Sequence, residues 1–228
     1  MKNELQKIRQ MTPGEKWDYF KTYYLVQTVI GVIVLILAVF FIRDMKMGSR
    51  EVLASGCLIN VAIDEEGFLF LTDGYVDFCG KSIKKASVFL SVDNTLDFMP
   101  ENPLDKDSYV MALTAQIYAG EYQYLILDQE AWEHFQASDI YADLAQTLTQ
   151  EQQEAYADRM IRQTVQSEDG THTETATALD LAGTAFAKRF HLEPQEAYLV
   201  FIETAQEKYQ DDVIEKKQRI ADYILTAE

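Results

Sequence analysis

Residues 113–135 read LTAQIYAGEYQYLILDQEAWEHF, and within them the hydrophobic period changes twice. As far as Gly120 the apolar positions recur at helical spacing, continuing a run that starts at residue 108. Asp107 or Ser108 can cap that helix, and Gly120 stands where helix C-termini place glycine. Residues 122–127, YQYLIL, then read as a short buried strand closed by Asp128. Residues 129–135 return to helical text. Helix, buried strand and helix in succession are the pattern of an α/β fold.

Working outward, the same alternation recurs. CLINVAI at 57–63 and ASVFLSV at 86–92 predict two further buried strands, ending at Asp64 and at Asp93-Asn94. Residues 68–78 carry helical spacing between them and stop near Gly80. After the central block, helices are predicted over 142–147 and 150–161, the latter capped by Thr149. Thr-rich, period-two text between 162 and 181 brackets Glu168-Asp169-Gly170, a hairpin signal. AYLVFI at 197–202 is a last strand. Residues 211–225 close the chain as an amphipathic helix with Val213, Ile214, Ile220 and Ile224 inward. The expectation is an α/β domain over 56–228 with a mostly parallel sheet and flanking helices.

Upstream, residues 23–42 read YYLVQTVIGVIVLILAVFFI, twenty positions without a charge, between Lys21 and Arg43. At ~1.5 Å per residue such a helix is about 30 Å long, the thickness of a bilayer's hydrocarbon core. This predicts an N-terminal transmembrane helix. The run exceeds a signal-peptide core, and no small-residue cleavage site follows it. The Ser-Gly-Cys at 55–57 stands too far from it, beyond several charges, to serve as a lipidation signal. The preceding tail carries five Lys and Arg against three in Arg43, Lys46 and Arg50. That bias predicts a cytoplasmic N-terminus and an extracytoplasmic C-terminal domain in the cell membrane. The organisation expected is a 1–22 amphipathic tail, a 23–42 span, a 43–55 linker and a 56–228 domain. Within the tail, Thr12-Pro13-Gly14-Glu15 is a helix start.

Beyond residue 22 the chain has 15 Lys and Arg against 34 Asp and Glu, a net of −19. Such a surface repels phosphate backbones, so no nucleic acid is expected as a partner. The two cysteines, Cys57 and Cys79, lack redox or zinc spacing. They either pair in a disulfide or remain two buried thiols.

With these pieces in order, the block at 113–135 resembles the bacterial type 2 periplasmic (solute) binding proteins. In that family a helix ends in an Ala-Gly-acid turn, followed by a strand with Asp near its end and a further helix. YADLAQTL at 141–148 is similar to the segment that often comes next, and ALDL at 178–181 and YLVFI at 198–202 to its return strands. The resemblance covers roughly residues 57–225 and implies a reduced, periplasmic-binding-protein-like fold that captures a small ligand. The chain departs from the family in its shorter length and its helical anchor.

In open α/β sheets ligands bind beyond the carboxyl ends of the strands. The candidates there are Asp64, Glu65 and the adjoining Glu66, Asp93 and Asn94, and Asp128, Gln129 and Glu130. A rim of these acids suits a cationic ligand, while the structural alternative is that each acid caps its helix. Trp132 or Tyr141 would supply an aromatic wall. Glu130 and His134 share a helix face but lack a third metal ligand, and neither His172 nor His191 has a Ser or Cys neighbour placed for a catalytic triad. Asp105-Lys106-Asp107 lacks the rest of a calcium loop, and no phosphate loop, zincin motif or nucleophile elbow occurs. The sequence thus predicts no enzyme, no cofactor and no metal site. Two roles remain: a membrane-tethered module that captures or senses a small, cationic ligand, or a ligand-free accessory domain for another envelope or transporter protein.

Overall fold

The structure is a computed structural model that describes residues 12–47, 50–98, 108–136, 140–166, 172–203 and 211–227. The Asp105-Lys106-Asp107 stretch, the hairpin signal at 168–170 and tail residues 1–11 lie outside them. The chain divides into two compact units at Arg50 and Glu51.

The first unit is helical. Helix α1 (Pro13–Tyr23) opens on the capping box read from the sequence, with Thr12 and Glu15 satisfying each other's backbone. Helix α2 (Leu25–Met47) follows at a bend of 65°. The described apolar part of α2, Leu25–Phe41, rises about 26 Å, short of a hydrocarbon core of about 30 Å. No single described helix is long and apolar enough to cross a membrane; the bent pair meets that requirement only when its two helices are taken together, by length and composition alone.

The second unit is an α/β domain built on six strands: β1 (Glu51–Ile59), β2 (Ala86–Asn94), β3 (Tyr124–Leu127), β4 (Met160–Gln166), β5 (His172–Asp180) and β6 (Tyr198–Phe201). Their order is β2-β1-β3-β6-β5-β4. β1 runs parallel to β2 and β3, while β6, β5 and β4 continue the sheet antiparallel. The sheet is therefore mixed, not mostly parallel. The 162–181 text does form two paired strands, and β6 returns against β3 after a short helix, reversing its direction.

Helices flank both faces. One face holds α3 (Glu65–Leu69), which runs through a π-turn at Phe70–Gly74 into α4 (Tyr75–Phe78), then α7 (Leu144–Thr147), α9 (Ala185–Arg189) and α10 (Asp211–Leu225). The other holds α5 (Ser108–Tyr118) and α6 (Gln129–Gln136). The central strands feed both layers alternately. Leu58, Tyr124, Ile126, Leu199 and Phe201 point to the first face, and Cys57, Ile59, Leu125, Leu127 and Val200 to the second. Burial on both sides explains why these strands read as unbroken apolar runs. Each such aliphatic side chain stabilises the fold by about 1.5–3 kcal/mol relative to exposure.

Element boundaries shift from the sequence expectation most clearly in β1 and in the helix expected over 150–161. β1 starts at Glu51, inside the expected linker, because Leu53 and Ala54 are core residues. It stops at Ile59, before 60–63, because Asn60 adopts φ 56° and turns the chain out of the ladder. The helix expected over 150–161 is shorter: α8 (Gln150–Ala155) passes through a 3-10 turn into β4 at Met160.

Cys57 and Cys79 are free thiols and pack on opposite faces of the sheet, so the disulfide alternative is not formed. Burial pushes the Cys57 thiol up to about 12, and its Sγ accepts from Asn94 Nδ2 at 3.3 Å.

Candidate functional site

Because β1, β2 and β3 are parallel, their carboxyl ends lie along one edge of the sheet, as the predicted rim requires. Three of the named residues come together there. Asp64, Glu65 and Asp93 line a cleft of about 160 Å³ with Val61, Ala62, Ile63, Phe68 and Val92. The cleft is small because the polar groups around it serve the fold. Asp64 Oδ1 accepts from Gly67 N at 2.7 Å, capping α3, and its Oδ2 meets His191 Nδ1 at 2.8 Å. The imidazole contact first, and the Gly67 N–H second, hold the Asp64 carboxyl below the usual carboxylate range. Gly67 is required at that cap, since a Cβ there would stand 2.7 Å from Phe190 Cβ.

Asn94 does not line the cleft and is buried. Its Nδ2 donates to Leu58 O at 2.8 Å, and its Oδ1 accepts from the Tyr109 hydroxyl. Asp128 and Gln129 do not line the cleft. Asp128 Oδ1 caps α6 through Ala131 N at 2.8 Å, and Gln129 Nε2 donates along the same helix to Glu133 at 2.7 Å. Neither aromatic candidate reaches the cleft. Tyr141 is buried and donates to Trp132 O at 3.1 Å, and Trp132 packs on Tyr198. His134 stacks on Phe98 at 4.2 Å, and burial holds its imidazole below the ordinary value. Among the described residues no group of three or more His, Cys, Asp and Glu side chains is arranged to hold a metal ion.

Sequence reasoning missed Asn60, whose amide grips both backbone groups of Leu96 and ties the exit of β1 to the exit of β2. It also missed a larger groove of about 570 Å³ between α8 and α10. Glu151, Glu215 and Asp222 line it, with Tyr156 donating to Asp222 at 2.8 Å and Arg219 held by Glu215. Gln152 Nε2 reaches Gln218 O at 3.1 Å and Gln218 Nε2 reaches Thr147 O at 2.8 Å, clasping the helices together. The Thr149 cap marked one wall, but the pairing with a helix 66 residues later leaves no local signal.

Comparison with protein-family models, curated protein sequences and solved structures returns no match. The chemistry must therefore be argued from the residues themselves.

Proposed function

We propose that this chain is a single-pass, membrane-anchored protein with a cytoplasmic N-terminus, whose extracytoplasmic domain docks another protein of the cell envelope. One observation carries the anchor. Large apolar side chains from Leu25 to Phe41 stand 39% to 68% exposed around every side of α2. A helix apolar all round belongs inside a large core or a bilayer, not in water. Its thirteen Leu, Ile, Val and Phe residues favour insertion by about 4–8 kcal/mol at ~0.3–0.6 kcal/mol each. The uncharged stretch runs over twenty residues, Tyr23 to Ile42, the first two of which precede α2. The bend at Tyr24 suits α1 to the inner interface, with Trp17 and Phe20 stacked at 5.9 Å and Lys21 over the Trp17 ring at 5.4 Å.

The docking role is supported by the strand-end rim, where Asp64 and Asp128 are engaged as helix caps and little volume remains. It is also supported by exposed apolar side chains on α5 and β2. The resemblance to a reduced periplasmic-binding-protein-like fold belongs to the same proposal. Its support is the parallel β2-β1-β3 core with helices between the strands. Alkaline carbonate washing of vesicles tests the anchor, and protease added to whole cells tests the topology. The protein is expected to stay with the membrane and to lose its C-terminal domain to the protease; release by carbonate or full protection sinks the proposal.

A second reading, capture of a small cationic solute, is favoured by the α8–α10 groove with its three carboxylates and a single Arg219. Titrating diamines and cationic amino acids into the detergent-solubilised chain checks it. Heat of binding that Asp222→Asn removes supports capture, and absence of any binding rejects it.

A further inference from the structure

Helix α1 sorts its charges by sign around its axis. At ~100° per residue, the middle of one face falls between Trp17 and Phe20, with Pro13 beside it. Lys16 and Lys21 flank that middle, each about 70° away, whereas Asp18 and Glu15 lie about 130° and about 170° from it. The side chains agree with this placement. Trp17 stacks on Phe20 with the rings 5.9 Å apart, and Lys21 Nζ stands 5.4 Å over the Trp17 ring. Glu15 is turned to the Thr12 backbone N–H at 2.8 Å, on the far side of the helix from the aromatic pair. Trp17 is 57% exposed and both lysines are exposed, so the described residues leave this face open.

The sign of the tail's charge says what covers it. Residues 1–22 carry five Lys and Arg against Glu4, Glu15 and Asp18, a net of +2 at the head of a chain of −17. A surface that attracts this segment is anionic. The shape of the face narrows the choice further. Aromatic rings between two lysines suit the headgroup layer of a bilayer, where rings reach the upper acyl chains and ammonium groups meet lipid phosphates. α2 continues from α1 across a bend of 65°, so where α2 crosses a bilayer α1 leaves it turned toward the membrane plane. The cytoplasmic leaflet, the side proposed for the tail, carries a negative surface potential. We infer that α1 docks on anionic lipid headgroups of that leaflet through Lys16 and Lys21, with Trp17 and Phe20 sunk beneath them. The inference rests on the anchor and topology proposed above and names what the tail binds.

Fluorescence of the full chain reconstituted into vesicles tests it, using phosphatidylcholine alone or mixed with phosphatidylglycerol. Trp17 and Trp132 are the two tryptophans, and the Trp17→Phe chain supplies the Trp132 emission for subtraction. In phosphatidylglycerol vesicles Trp17 is expected to emit to the blue and to resist quenching by acrylamide present on both sides. In phosphatidylcholine alone it is expected to be quenched freely. At about fivefold per cation near an anionic surface, Lys16→Glu with Lys21→Glu is expected to lower the docked-to-free ratio of α1 about 25-fold or more. High salt is expected to release α1 in the same way, with the chain still resisting carbonate extraction. Trp17 that is quenched equally in both vesicles, or shielded equally in both, overturns anionic-lipid docking. If the chain resists carbonate in those same vesicles, the anchor stands without it; release by carbonate overturns both.

Discussion

At Gly56 the decisive quantity is a single distance. A Cβ built there would stand 2.2 Å from Tyr124 Cζ, against the hydroxyl-bearing end of a ring buried on the neighbouring strand. Neither a rigid ring nor a central strand can give way, so Gly56→Ala is expected to destabilise the domain by about 1–3 kcal/mol in urea unfolding. The cost should shrink when Tyr124→Leu is added, which separates overpacking from a backbone effect. Asp64 supplies a second case, and its sign follows from its environment. Its carboxyl is held low by His191 and the Gly67 N–H, so its contribution to stability is complete above the unfolded value of about 4. That contribution is lost as pH falls through the lower folded value. Asp64→Asn is therefore expected to melt lower than the parent at pH 6, with the gap closing toward pH 2. A gap that stays constant with pH would contradict this assignment. The cap was legible, since an acid before a helix start has a mechanical reading. The His191 partner was not, because 127 residues separate the two.

For elements, local chemistry was readable where it is self-contained. Thr12 with Glu15 and Thr149 with Gln152 form the reciprocal caps that their spacing implies. Thr149→Ala is expected to cost about 1 kcal/mol, measured by thermal unfolding, with Thr149→Ser close to neutral. α10 was legible for the same reason: Val213, Ile220 and Ile224 face the core as expected, while Ile214 is only half-buried. The same stripe also carries Lys217, buried and donating to Ile202 O at 2.6 Å, a tertiary contact that periodicity alone does not announce. Strand direction was less legible still. An apolar run such as 197–202 records burial on two faces but not which way the chain travels, and β6 runs against β3. The predicted rim shared that limit. Its acids reach one edge of the sheet because β1, β2 and β3 are parallel, yet the side chains divide between the cleft and helix caps.

On the scale of the whole molecule, the division at Arg50 and Glu51 can be tested by cutting the chain. Hydropathy ends the membrane-like stretch at Ile42 and suggests a linker as far as residue 55, because Arg50 and Glu51 interrupt the apolar text. Strand pairing puts the boundary elsewhere. Glu51, Val52, Ala54 and Ser55 all pair with β2, and Leu53 and Ala54 are buried in the core. β1 is an interior strand, with β2 on one side and β3 on the other, so its first half cannot be removed without stripping β2 of much of its ladder. A chain of residues 51–228 is therefore expected to be soluble without detergent and to unfold in one cooperative transition. A chain of residues 56–228 leaves the paired half of β2 without a partner and uncovers apolar side chains below it. It is expected to melt well below the longer fragment or to aggregate. Equal melting temperatures for the two fragments would place the domain's start after β1's first half and overturn the strand pairing that defines this fold.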